Sequence, residues 1–264
     1  MTKQGSVFSL LIAPFLIFLS YAFVYLPIVV LVIFSFNSSD NPHVWTGFSM
    51  MWYEKLFSST DMLQALSASL KVAGASTLIS VFLGTLLVIA SKWWQPRLMF
   101  AIFMPSIIAP EIVMAVSILS LFHFLKMPIG YNSLIAGHTA IGLGFCVPIL
   151  RAKFVKLDPV LTEASIDLGA NYFQTFNKIL LPLMVPTMVA CSFLVFTLSL
   201  DDFFIAFFCS GPGLQTISTY VFSQVRSFHD PSLNALSTIL LVVSSALVAV
   251  LSMTKVSKEL IGND

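Results

Sequence analysis

Charge is scarce in this sequence. Charged side chains make up 9% of the 264 residues, 13 Lys+Arg against 12 Asp+Glu, where a soluble domain carries about 25%. With 58% apolar residues, 25 Phe and a mean hydropathy of +0.95, a water-soluble fold could not hide its own oily surface, which argues against a soluble enzyme. A net charge of +1 leaves no basic footprint for nucleic acid. The same hydrophobicity excludes disorder. Cysteine is scarce too: Cys146, Cys191 and Cys209 sit in apolar runs, with neither metal-ligand spacing nor a pattern of pairs. No i, i+4 pair exists among His43, His123, His138 and His229, which argues against a metal site. There is no G-x-x-x-x-G-K-[ST] phosphate loop and no G-x-S-x-G nucleophile motif, so the chain is not itself an ATPase and no acyl-transfer site is indicated.

What is present is a series of charge-poor intervals long enough for transmembrane helices, which need about 20 apolar residues. They predict six spans, roughly 8–35, 70–91, 99–125, 132–150, 184–208 and 233–254. The runs are continuous rather than alternating and twice the length of a barrel strand, which excludes sheet. The expected class is therefore an all-α polytopic membrane protein. The first run is too long for the core of a signal peptide and has no small-residue cleavage site, so it reads as an anchor, with Pro27 placed to kink it.

Lys and Arg set the orientation. Lys3, Lys92, Arg97, Arg151, Lys153, Lys156, Lys178, Lys255 and Lys258 fall on one side; Lys55, Lys71, Lys126 and Arg226 fall on the other. The richer side is expected to be cytoplasmic, with both termini inside, and six spans give the same parity. Trp45, Trp52 and Tyr53, near the outer surface, are expected as interface anchors.

One inner loop, residues 151–183, is long. Asp158-Pro159 combines an N-cap with proline at the first helical position. A helix is predicted from Pro159 to Leu168, ended by Gly169 in the left-handed conformation. Asn171 is placed to cap a second helix from Tyr172 to Leu181, stopped by Pro182. This elbow is expected to dock a cytoplasmic protein.

The elbow carries a resemblance. Glu163-Ala164-Ser165-Ile166-Asp167-Leu168-Gly169, nine further residues, then Ile179-Leu180-Leu181-Pro182 resembles the EAA loop of binding-protein-dependent ABC importer permeases, E-A-A, three residues, G, nine residues, I-x-L-P. Ser165 stands where the motif has its second alanine. The stretches Phe196-Thr197-Leu198-Ser199-Leu200-Asp201-Asp202, Ser210-Gly211-Pro212, Ser35 to Ser39, Pro110 to Ala115 and Asn234 to Val243 are similar to spermidine/putrescine permeases of the C type. The resemblance spans the whole chain, 1–264, as one permease transmembrane domain. It implies a type I importer: two permease subunits, the second a different chain, two ATPase subunits that bind the ATP, and a periplasmic polyamine-binding protein, in the bacterial inner membrane. Glu163, Ala164, Asp167 and Gly169 are carried over as the residues that couple to the ATPase. No cofactor is expected in this chain.

Acids inside the membrane suggest the cargo. Glu111 lies twelve residues into its span, about 18 Å deep at 1.5 Å per residue. An ionised carboxylate there costs roughly 2.5–3.5 kcal/mol on insertion scales. Pro110 is expected to break the helix just before it, as in helices that line cavities. Asp201 and Asp202 follow Pro186 by about 22 Å of helix, and the span is expected to continue through Phe203–Phe208. Neighbouring helical residues point about 100° apart, so both acids face one pore only if the helix distorts. Glu111 with Asp201 or Asp202 is thus the candidate path for a multivalent ammonium cargo, through charge-assisted hydrogen bonds. Competing readings are the same machine for another solute, such as ferric iron or thiamine, and an ATPase-independent channel or secondary carrier. The last leaves the 151–183 elbow without a purpose.

Overall fold

A computed structural model describes residues 4–41, 44–90, 101–226 and 231–253. The sequence readings that involve Lys3, His43, Lys92, Arg97, His229, Lys255 and Lys258 lie outside them. The described chain is helical, with one isolated antiparallel bridge, Asn37 to Phe48. It divides into two units, residues 1–60 with 223–243 and residues 61–222 with 244–264.

The first unit contains α1, Gln4–Phe34, and α2, Met51–Ser58. Helix α1 runs unbroken through Pro14 and Pro27. From Ile12 to Phe34 it is the most apolar segment and buries none of its span window. Phe15, Phe18, Tyr21, Phe23 and Leu26 all stand exposed, which is stable only where the surroundings are apolar. The loop after α1 is built on Asn37. Its Nδ2 donates to the Val44 carbonyl at 2.7 Å, and its Oδ1 accepts the Thr46 N–H at 3.0 Å. The Trp52 indole N–H donates to the Asn37 carbonyl at 2.7 Å. Trp52 is therefore buried, 2% exposed, and is not the interface anchor its position suggested. The Asn37 carbonyl captured its polar edge. Trp45 remains half exposed, and the Tyr53 hydroxyl pairs with Ser35 Oγ at 2.8 Å.

The second unit takes in α3 (Thr60–Ala90), α4 (Pro105–Ile108), α5 (Glu111–Phe124), α6 (Tyr131–Val155), α7 (Pro159–Asp167), α8 (Tyr172–Thr175), a π-helical turn (Phe176–Leu180), α9 (Leu181–Asp201), α10 (Phe204–Cys209) and the first part of α11 (Ile217–Arg226), which passes into the first unit at Ser223. The last helix, α12, is Ser232–Met253; as far as Val243 it belongs to the first unit. One apolar core joins α3, α6 and α9 through Val81, Val88, Cys146, Leu150, Met184 and Val195. A second joins α5, α6 and α10 through Ala115, Leu134, Ile205 and Cys209. Small residues let the helices approach, as lipid-embedded packing requires. A Cβ on Gly142 of α6 would lie 2.4 Å from Ser80 Oγ of α3 and 2.8 Å from Val195 Cγ1 of α9.

Among the described residues, four helices are long and apolar enough to cross a membrane: α1 from Ile12, α3, α6 and the continuous stretch Tyr172–Asp201. The segments Ala101–Ile108 and Glu111–Phe124 make a fifth if taken together, bent by 117° at their break. The sixth expected interval is helical as α12, whose apolar stretch Ser232–Ala246 is short of spanning length. The six-span reading is thus compatible with the fold, and the shortfall lies at Pro110 and in α12.

Two local expectations fail. Pro182 does not stop the second elbow helix, which runs on from Tyr172 to Asp201. Proline lacks the N–H that an α-helix would need at this point. The wide π turn at Phe176–Leu180 lies just ahead of it, and Pro182 falls in the first turn of α9, where no such donor is required. Nor does the span continue through Phe203–Phe208. Asp202 has extended backbone, φ −63° and ψ 129°, and a separate short helix, α10, follows.

Candidate functional site

Both helix breaks deliver acids to one place. At the first, Ala109 and Pro110 have extended backbone, ψ 137° and 138°, and Glu111 is the first residue of α5. Proline disfavours helix in the residue before it, so the sequence writes this break directly. At the second, α9 ends at Asp201 and the chain turns at Asp202. A cavity of about 90 Å³ lies between them, lined by Ser106, Ile107, Glu111, His138, Ser199 and Asp202, with Met114, Phe145 and Leu198 among its apolar walls. At about 10–15 Å³ per water by this measure, it has room for several waters. Asp201, exposed on the other side of the turn, does not line it. The structure therefore brings Glu111 and Asp202 together and leaves Asp201 out, because the chain turns between the two aspartates.

The polar groups around the cavity are linked. His138 Nδ1 is hydrogen-bonded to Ser199 Oγ, which has Ser76 Oγ at 3.4 Å on its far side. His138 Nε2 stands 3.5 Å from Asp202 Oδ2; the two side chains are 2% and 7% exposed. Asp202 Oδ2 also accepts the Ala206 N–H at 3.0 Å, and the Asp202 carbonyl accepts the Ser218 hydroxyl at 2.6 Å. Asp202 Oδ1 and His138 Nε2 are buried without a hydrogen-bond partner among the described residues. Buried polar atoms in that state are costly and stand out in a native fold. His138 and Ser76 were not singled out as site residues from the sequence. A histidine inside the charge-poor run 127–150 was the available signal.

The elbow is a separate region. Asp158 Oδ1 accepts the Val160 N–H at 3.0 Å, capping α7 as expected. Helix α7 closes through Ala170 N–H to Ser165 O (3.0 Å) and Gly169 N–H to Ile166 O (2.8 Å), with Gly169 at φ +86°. This double closure is the common way a helix ends on a left-handed glycine. Asn171 and Gln174 cap each other reciprocally across the start of α8. Ser165 is buried and pairs with Thr175 Oγ1, tying the two arms. Glu163, Ala164, Asp167 and Gly169 are all exposed, beside Leu168 (89% exposed), Tyr172 and Phe173.

No family model matches the chain. Individual relatives do. The spermidine/putrescine transport system permease protein PotC of Escherichia coli strain K12 is 36% identical over 235 residues, 86% of this chain and 88% of that protein. PotC of Haemophilus influenzae is 35% identical over 238 residues, 88% of this chain and 91% of that protein. The putrescine transport system permease protein PotI of Escherichia coli strain K12 is 34% identical, covering 86% of this chain and 84% of its own. The chain belongs to the PotC/PotI family of transport permeases. Solved structures agree on the fold of this permease. A chain of a bacterial alginate ABC transporter superposes with a TM-score of 0.70 at 18% identity, over 94% of this chain and 93% of that one. A chain of the MetNI methionine ABC transporter in an inward-facing conformation gives 0.59 at 16% identity, over 73% and 95%. The PotC/PotI permease is thus an all-α, membrane-embedded transport permease with the fold of membrane chains of ABC transporters.

Proposed function

We propose that this permease passes a polyamine, spermidine or putrescine, through the bacterial inner membrane by way of Glu111 and Asp202. The observation that carries the reading is the convergence of these two acids on one cavity, in a chain whose relatives at 34–36% identity are polyamine permeases. A polyamine at neutral pH is a flexible chain of ammonium groups. Each ammonium brings donors, and an ionised carboxylate is an acceptor only, so pairing satisfies both. Asp202 Oδ1, buried and open, is the atom best placed to receive one. Asp201, outside the cavity, has no part in this path.

The driving force comes from elsewhere. Two separate ATPase subunits hydrolyse ATP below the pore, a second and different permease subunit completes it, and a periplasmic polyamine-binding protein delivers cargo. No cofactor belongs to this chain. The whole of residues 1–264 acts as the permease domain, and both termini face the cytoplasm. Glu163, Ala164, Asp167 and Gly169 meet the ATPase at the elbow, 151–183. The exposed apolar side chains Leu168, Tyr172 and Phe173 around them support this, because a surface of that kind gains by being covered.

The test is transport of labelled putrescine and spermidine into vesicles containing the whole complex, with Glu111→Gln and Asp202→Asn variants. Lost uptake with the complex intact and still hydrolysing ATP supports the acidic path. Loss of the complex itself would assign the acids to holding the assembly together. Uptake that survives deletion of the elbow would overturn the coupling.

A further inference from the structure

Among the polar side chains of the cavity that the acidic path does not use is a histidine. His138 reaches the cavity from α6, while Glu111 and Asp202 come from helix breaks. Its imidazole is fixed on one edge and free on the other. Nδ1 is bonded to Ser199 Oγ; Nε2 faces Asp202 Oδ2 at 3.5 Å and has no hydrogen-bond partner among the described residues. A carboxylate is an acceptor only, so the arrangement selects the tautomer with its proton on Nε2. Nδ1 then accepts from the Ser199 hydroxyl, and the chain of donors runs from Ser199 through His138 toward the acid.

From this geometry we infer that His138 is a positioning residue for the cargo: anchored by Ser199, it steadies Asp202 through Oδ2 so that Oδ1 is presented to an ammonium group. The inference rests on the acidic path proposed above. Oδ2 accepts the Ala206 N–H at 3.0 Å and has His138 Nε2 beside it at 3.5 Å, while Oδ1 has no hydrogen-bond partner among the described residues. The division leaves one oxygen for the protein and one for the cargo. It also explains why an imidazole suits this position. A lysine or arginine here would form a permanent ion pair with Asp202 and fill the place of the cargo. A leucine or phenylalanine would leave the carboxylate with backbone N–H groups alone and no side chain beside Oδ2.

Uptake kinetics of labelled putrescine, measured with the complete transport complex, separate this role from mere packing. For His138→Phe the concentration for half-maximal uptake is expected to rise about tenfold, the equivalent of one hydrogen bond to a charged group, with the maximal rate changed far less. His138→Gln, which keeps an N–H donor, is expected to recover most of that loss. His138→Lys is expected to abolish uptake. If His138→Phe does not assemble, Ser199→Ala decides: it frees the imidazole and should raise the half-maximal concentration several-fold. Unchanged half-maximal concentrations in the Phe or Ala variant, or failure of Gln to do better than Phe, would overturn the inference. Asp202→Asn run in parallel tells the two proposals apart. If it transports normally, the acidic path itself fails; if it is dead while the His138 variants keep normal kinetics, only the role of His138 fails.

Discussion

The two helix breaks end in carboxylates but are made differently. The break before Glu111 is covalent in origin: Pro110 lacks a donor and pushes Ala109 into extended backbone, so the chain bends there whatever surrounds it. The break at Asp202 has no proline. It is held by Ser218 Oγ on the Asp202 carbonyl, by the Ala206 N–H on Oδ2 and by His138 alongside. One bend is written into the chain, and the other depends on neighbours from α6 and α11. The cavity thus has a fixed wall at Glu111 and a conditional one at Asp202.

Four substitutions sharpen or break this contrast. The largest effect is expected from Asp202→Asn, which removes the acceptor charge at the conditional wall. Uptake should fall about 10- to 100-fold, the worth of a charge-assisted hydrogen bond, and should fall further than in Glu111→Gln. Equal losses would mean that the two walls do the same job. Gly142→Ala comes next. Its methyl group would press on Ser80 and Val195, wedging α6 away from α3 and α9 beside the cavity. Overpacking of this kind costs about 1–3 kcal/mol, seen as a lower melting temperature of the purified protein in detergent. Ser218→Ala should cost about 1 kcal/mol and loosen only the Asp202 turn, which hydrogen exchange around Asp202–Phe204 would detect. Pro110→Ala should be mildest, about 0.4–1 kcal/mol from added freedom of the unfolded chain, with faster exchange confined to residues 108–112. If Pro110→Ala loosened the Asp202 turn as well, the two breaks would be a single device.

Much of this was legible in the sequence where the signal was local. The proline at 110, the Asp158 and Asn171 caps and the left-handed Gly169 each act through their own backbone, and each appears where the residues place it. The fold class and the resemblance to permeases were legible for the same reason, since both rest on contiguous runs. What could not be read depended on distant partners. Asp202 rather than Asp201 turns inward because Ser218 and Ala206 lie where they do. His138 gained its place from Ser199, 61 residues away. Trp52 was captured by the Asn37 carbonyl. Pro182 stands inside a helix because a π turn precedes it.

That π turn fixes a phase. It sits in one unbroken helix whose lower end carries Tyr172 and Thr175 and whose upper end carries Ser199 and Asp201. A π turn takes one more residue per turn than an α-helix, bonding i→i+5 instead of i→i+4, so it absorbs an extra residue while the helix on either side keeps its phase. Losing one residue between Phe176 and Leu180 would let the turn close as ordinary α-helix, whereas losing one above it, in α9, would rotate Ser199 by about 100° and swing it off His138. Those few positions are thus slack in the helix, where its length can change without turning the end that holds Ser199.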